Sequence, residues 1–173
     1  MNGEDLSLEN QRSIYRHIST NPGIHLRGLS EGTSIPLSTV RYHIAFLERQ
    51  GIVISRTEGN LKQYFINGEI SAGDRRIAPL LQQKRFRDII MLLLVGPGTL
   101  QVDVASRLGL KPSTTAKYMG ILEERGVVRS ERQGRDKMCF LVDERRVVEL
   151  LLTYRESFWD RFVDNALEIY LER

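Results

Sequence analysis

Cysteine is nearly absent: Cys139 is the only one in 173 residues. That excludes a disulfide framework within the chain and suits a reducing compartment, so the expected location is cytoplasmic. Long hydrophobic runs are missing too. The longest, Ile89-Ile90-Met91-Leu92-Leu93-Leu94-Val95, falls far short of the roughly 20 residues that cross a bilayer; it reads as a buried helix end, with no membrane partner. The opening Met1-Asn2-Gly3-Glu4-Asp5 is acidic and lacks an apolar core, unlike a secretory leader. There is no phosphate-cradling glycine loop, no serine or cysteine nucleophile framed by signature residues, and no pair of metal carboxylates. An enzyme is not expected. His17, His25, His43 and Cys139 fall at no ligand spacing, so neither a metal nor another cofactor is expected. They read as structural histidines and a buried strand cysteine. A redox role for Cys139 would need a lowered thiol pKa, to which only the nearby Lys137 points.

Net charge is also small, +3, but it is unevenly spread. Residues 1–75 carry 8 basic and 8 acidic side chains; residues 76–143 carry 12 and 7, a net of +5; residues 144–173 carry 5 and 7, a net of −2. The middle of the chain is the part that attracts a polyanion.

What the sequence does have is one well-defined stretch, Ile35-Pro36-Leu37-Ser38-Thr39-Val40-Arg41-Tyr42-His43-Ile44-Ala45-Phe46-Leu47-Glu48-Arg49-Gln50-Gly51-Ile52-Val53. Pro36 suits a first helical position. Val40, Ile44 and Leu47 stand at i, i+4 and i+7 and so share one buried face. Gly51 sits where a left-handed cap belongs, and Ile52-Val53-Ile54 begins a β-branched strand. Facing away from the stripe are Ser38, Thr39, Arg41 and Tyr42: two hydroxyls, a fork of donors and an amphipathic ring. Phe46 lies beside the stripe.

The same stretch recurs 75 residues later as Leu110-Lys111-Pro112-Ser113-Thr114-Thr115-Ala116-Lys117-Tyr118-Met119-Gly120-Ile121-Leu122-Glu123-Glu124-Arg125-Gly126-Val127-Val128. Ile14 maps to Ile89, Pro22-Gly23 to Pro97-Gly98, Ser38-Thr39 to Ser113-Thr114, Gly59 to Gly134 and Phe65 to Phe140, without a gap. A unit of this length is a small domain rather than a solenoid turn, so the chain is a tandem duplication. Two domains of about 65 residues fit its length.

Each unit reads as three helices and a β-hairpin. In the first, Ser7 is the expected N-cap of a helix to about Ser19, with Leu8, Ile14, Tyr15 and Ile18 on its buried side. A short helix follows around His25 to Gly32, then the long helix, then strands Ile52 to Arg56 and Leu61 to Ile66 around a polar turn. Asn67 to about Ile77 reads as a polar linker, with Pro79 opening the next helix. The second hairpin, residues 129–137, sets Arg129, Arg132, Arg135 and Lys137 against Glu131 and Asp136. From Asp143 onward, Val147, Leu151, Tyr154, Phe158, Phe162, Ala166 and Ile169 recur at steps of three and four. That is one long amphipathic helix, of roughly 40 Å at about 1.5 Å per residue, or two shorter ones. Such a stripe needs a partner. The expected one is a second copy of the chain; the alternative is a fold back onto its own repeats.

The fold class is therefore mainly α with small β-hairpins (α+β): two tandem winged helix-turn-helix domains plus a C-terminal amphipathic helix. The expected divisions are residues 1–68, a linker 69–78, residues 79–143 and a dimerisation helix 144–173. Asn21-Pro22-Gly23-Ile24-His25-Leu26-Arg27, with the residues quoted above at 37–44 and 47–53, resembles the archaeal winged helix-turn-helix transcriptional regulators, including their two-domain forms. These are broadly similar to the multiple-antibiotic-resistance and arsenical-resistance regulator superfamily. The resemblance covers residues 8–66 well and 80–142 more loosely. It implies that the long helix of each repeat enters the major groove of double-stranded DNA and that the wing touches backbone or minor groove. The expected function is a homodimeric, sequence-specific regulator of double-stranded DNA that occludes a promoter or recruits there, with the transcription machinery as a further partner.

The residues agree independently. Arg41 suits a guanine edge, while Ser38, Thr39 and Tyr42 suit phosphates or a thymine methyl. Ser113, Thr114 and Lys117 hold the matching places in the second repeat. Arg132, Arg135 and Lys137 offer a phosphate or minor-groove grip; Arg56 and Lys62, with Glu58 against them, offer a weaker one. Each has an ordinary alternative: a solvated arginine, a tyrosine packed on the wing, a basic hairpin tip. Two other functions stay open. One is a tandem winged-helix adaptor that binds proteins. The other is a single-stranded nucleic-acid binder stacking bases on Tyr42, Tyr64 and Tyr118.

Overall fold

The computed structural model describes residues 3–154 and 161–172, with residues 3–5, 161, 162 and 164 described by backbone alone. The chain divides into two compact units, 1–79 and 80–173.

In the first unit α1 (Gly3–Thr20), β1 (Ile24–His25), α2 (Leu26–Thr33), α3 (Leu37–Arg49), β2 (Val53–Glu58) and β3 (Leu61–Ile66) follow in order. The helices carry Ile14, Ile18, Leu29, Val40, Ile44 and Leu47 into one core with Val53, Tyr64 and Ile66 from the hairpin. Fully burying one such aliphatic side chain contributes about 1.5–3 kcal/mol. The i, i+4, i+7 stripe of α3 is therefore what seats this helix, and its opposite face is left to solvent. Phe46 is half-buried against the same core.

The second unit repeats the plan: α5 (Lys84–Val95), β4 (Thr99–Leu100), α6 (Gln101–Arg107), α7 (Pro112–Glu124), β5 (Val128–Gln133) and β6 (Asp136–Leu141). Both sheets are three-stranded and antiparallel, in the orders β1-β3-β2 and β4-β6-β5. Register repeats as well: Val53 faces Ile66 and Val128 faces Leu141, while Ile24 faces Tyr64 and Thr99 faces Cys139. Thr115, which replaces Val40 in the stripe, is fully buried and satisfies its hydroxyl by donating to the Lys111 carbonyl at 3.3 Å.

Both long helices end alike. Gly51 adopts φ +69°, its N–H donates to the Glu48 carbonyl, and the Ile52 N–H donates to the Leu47 carbonyl. Gly126 (φ +69°) repeats this with Glu123, and Val127 with Leu122. This double closure aims the chain straight into the hairpin and fixes wing against helix.

Several expectations change. The first helix begins by Gly3, ahead of Ser7, and Leu8 is exposed. His25 Nδ1 accepts from the Gly28 N–H and caps α2. Pro36 is the cap residue of α3 rather than its first helical residue. The strands β1 and β4 were not expected, being two residues each.

Within the stretch expected to be a polar linker, Asp74 starts a helix, α4 (Asp74–Gln82). Ser71 Oγ accepts from the Asp74 N–H and donates to the Asp74 carboxylate, a cap that a composition-based reading passes over. Ile70 and Ala78 are buried with Phe65. Pro79 lies inside α4 and does not open the next helix. A Cβ at Gly23 (φ +86°) would stand 2.5 Å from the Pro79 ring, so the turn at Pro22-Gly23 requires glycine.

After β6, the tail forms two helices, α8 (Glu144–Thr153) and α9 (Arg161–Leu171). Asp143 caps α8 by accepting from the Arg146 N–H at 2.9 Å. Helix α9 packs along α5 of its own unit. Val147 and Leu151 of α8 are buried, as are Val163, Ala166 and Leu167 of α9.

Candidate nucleic-acid interface

The outward face of α3 carries Ser38, Arg41, Tyr42, Ala45 and Arg49, all exposed, with Thr39 half-exposed. Because Val40, Ile44 and Leu47 are held in the core, these side chains have one direction in which to point. Tyr42 is 64% exposed, its ring edge-on to His43. A helix of this width fits the major groove of B-DNA, about 12 Å across.

The first wing is largely neutralised from within. Glu48, on the last turn of α3, accepts from Ser55 Oγ and binds Lys62 Nζ at 2.9 Å. Lys62 also stands over the Tyr64 ring, and Arg56 lies 3.9 Å from Glu58. The acid opposing Lys62 is thus Glu48, whereas Glu58 was the expected one.

The second unit sets Ser113 and Lys117 outward on α7, with Thr114 half-exposed. Tyr118 packs edge-on against Phe86. In its wing Arg129 pairs with Glu131 and lies over the Phe140 ring. Glu123 again accepts from the wing serine, Ser130. Arg132, Arg135 and Lys137 are exposed and form no ion pair among the described residues. Glu123, Ser130, Arg132 and Lys137 border an open hollow of about 400 Å³ between α7 and the hairpin.

The three tyrosines of a stacking platform are not available together. Tyr64 is 5% exposed and belongs to the core, Tyr118 is half-buried, and only Tyr42 stands open.

Burial lowers the pKa of His17 and of His43, disfavouring the charged ring. Burial pushes the Cys139 thiol up despite the Ser130 hydroxyl beside it, the opposite of what a reactive thiolate requires. No cluster of three metal-binding side chains exists among the described residues. No described helix is long and apolar enough to cross a membrane.

A winged helix-turn-helix DNA-binding family profile matches residues 8–54 and again 87–129, one copy over each α1–β2 and α5–β5 segment. The chain belongs to the winged helix-turn-helix DNA-binding family. An uncharacterised HTH-type transcriptional regulator of Methanocaldococcus jannaschii is 32% identical over 138 residues, which cover 79% of this chain and 34% of that protein. The chain therefore spans about a third of the length of this winged-helix relative. Among solved structures, the mRNA-binding domain of elongation factor SelB from E. coli in complex with SECIS RNA overlaps 78% of this chain and 98% of that one. Identity is 20% and the TM-score 0.28, too loose an overlap to bear on what this winged helix binds.

Of the residues expected at a dimer interface, Val147, Leu151 and Ala166 are buried, Tyr154 is half-buried and Ile169 is exposed. Phe158 lies outside the described residues, and Phe162 is described by backbone alone. Among the described side chains of α9, Val163, Ala166 and Leu167 are buried and Ile169 is exposed. With only eleven residues in the helix, a pattern of threes and fours read from sequence does not settle which of two neighbouring faces turns inward.

Proposed function

We propose that this protein is a sequence-specific, double-stranded-DNA-binding transcriptional regulator acting in the cytoplasm, of the archaeal two-domain kind. It carries no catalytic constellation and needs no cofactor. The observation that carries the reading is the outward face of α3. A helix fixed by three buried residues and a glycine closure presents Ser38, Thr39, Arg41 and Tyr42 beside a hairpin, which is the arrangement a major groove admits. Ser113, Thr114 and Lys117, with the wing residues Arg132, Arg135 and Lys137, add sites for phosphates, and Arg56 and Lys62 lie at the edge of the first wing. That the Methanocaldococcus jannaschii relative is named an HTH-type transcriptional regulator supports the same reading.

The regulator acts as a homodimer on paired half-sites. Since Val147, Leu151 and Ala166 serve the fold, a mate is left the outer edge of α9, where Ile169 and Leu171 are exposed. Occupancy of a promoter then blocks or recruits the transcription machinery.

Selection of bound duplexes from a random pool tests this. The expected product is one enriched site with two related halves. A pool that stays random over repeated rounds would contradict sequence readout, and a single enriched half would contradict the dimer.

A further inference from the structure

The two units carry different chemistry at matched positions. Relative to the 75-residue offset, the outward face of α3 reads Arg41, Tyr42, Ala45 and Arg49, and that of α7 reads Ala116, Lys117, Gly120 and Glu124. All eight are exposed. The first helix thus holds two guanidinium forks and a ring. The second holds one flexible ammonium, two positions with little or no side chain, and a carboxylate at its C-terminal end. A guanidinium reads a guanine edge with two parallel hydrogen bonds, whereas a lysine is a point charge suited to phosphate. Base-reading groups are therefore concentrated on α3.

The wings show the reverse. The tip of the first hairpin is Thr57-Glu58-Gly59-Asn60, and the matched tip of the second is Arg132-Gln133-Gly134-Arg135. Glu48, Ser55 and Lys62 have as counterparts Glu123, Ser130 and Lys137. In the first unit the glutamate holds both the serine and the lysine. In the second it accepts from the serine, and Lys137 forms no ion pair among the described residues. Three cations of the second wing are exposed and unneutralised, while the two of the first are turned onto their own carboxylates.

From this we infer that the units divide the recognition of duplex DNA: α3 reads bases through Arg41, and the β5–β6 wing grips phosphates through Arg132, Arg135 and Lys137. This rests on the duplex-DNA reading above. Phosphate contacts set affinity and its salt dependence without carrying sequence; base contacts carry sequence with little salt dependence. The two roles therefore separate in one experiment.

The full chain, R41A and the triple variant R132Q/R135Q/K137Q are titrated by fluorescence anisotropy against a duplex selected from the random pool and against a scrambled duplex. Each titration is repeated over a salt series. All four substituted side chains are exposed, and unchanged thermal melts confirm that the variants fold. R41A is expected to lower the selected-to-scrambled affinity ratio by about tenfold or more and to change the salt slope by less than about one. The triple variant is expected to weaken both duplexes together and to reduce the slope by up to about 2.7, at about 0.9 for each phosphate no longer neutralised, while keeping the ratio. Exchanged effects, or R41A weakening both duplexes equally, would overturn the division of roles and leave DNA binding intact. Failure of the unmodified chain to bind any duplex at low salt would remove the DNA reading, and this inference with it.

Discussion

The helices α1 and α5 occupy the same place in the two units and are built for different surroundings. Ile14 and Ile18 of α1 match Ile89 and Leu93 of α5, and all four are fully buried. Between them the helices part company. Tyr15, Arg16 and His17 correspond to Ile90, Met91 and Leu92; Arg16 is exposed, and Met91 is fully buried. Helix α1 has one apolar face and one wet face, as a surface helix does, whereas α5 is apolar all round from Ile89 to Leu94, and α9 packs along it. One backbone plan thus serves two burdens. The first unit keeps an open helix and an arginine-bearing outward face; the second takes up the tail and keeps the cationic wing.

Exchanging residues between the repeats breaks this comparison most sharply. M91R places in α5 the residue that α1 carries at the matched position, burying an unpaired charge. It should cost more than about 4 kcal/mol and unfold the second unit. R16M, the reverse exchange, should stay within about 0.5 kcal/mol. Urea denaturation followed by circular dichroism reads both, and a mild effect of M91R would mean that Met91 is not buried in solution.

A smaller effect comes from the wings. E48Q removes the carboxylate that holds Lys62 and should free the first wing to neutralise one more phosphate. The salt slope for duplex binding should then steepen by about 0.9. Loss of the surface pair itself should cost within about 1 kcal/mol. An unchanged slope would show that Lys62 lies away from the DNA whether paired or not.

Smaller again is G120A. Gly120 sits mid-helix with open space where a Cβ would go, so alanine should stabilise the second unit by about 0.5–1 kcal/mol. If duplex affinity falls at the same time, the bare face of α7 lies against DNA more closely than a phosphate-gripping wing alone requires.

The last difference is one of pH. All three histidines lie in the first unit, and burial lowers the folded-state pKa of His17 and His43 below the ordinary 6.5. As pH falls below that value the unfolded chain takes up protons that the folded unit resists, so stability is present above about pH 6.5 and is lost on acidification. Hydrogen exchange read by peptide should show α1–α3 losing protection between neutral and mildly acidic pH, ahead of α5–α7. Equal loss in both units would assign the acid sensitivity to groups other than these histidines.

The fold was legible because its signals are local and occur twice. Each long helix has a three-residue stripe, a proline at its start and a glycine at its end, and the 75-residue offset aligns two independent copies. The tail was less legible. Ala166 with Ile169 and Val163 with Ala166 and Leu167 both satisfy helical spacing, and only packing decides that Val163, Ala166 and Leu167 are buried while Ile169 is exposed. Residues 69–78 look polar, yet Ser71 caps a helix at Asp74 and sparse apolar residues, Ile70 and Ala78, hold it down. At the interface, residue type and exposure were readable, but ion pairing was not. Whether Lys62 meets Glu48 or Glu58 depends on hairpin register against the end of α3, across 14 residues of sequence.

The most direct test of the account is anisotropy of the full chain against random duplex and random single-stranded DNA over a salt series. The account expects tighter binding to duplex at low salt, falling linearly in log affinity against log salt at about 0.9 per neutralised phosphate. Preference for the single strand, or no binding to either form at low salt, would contradict it.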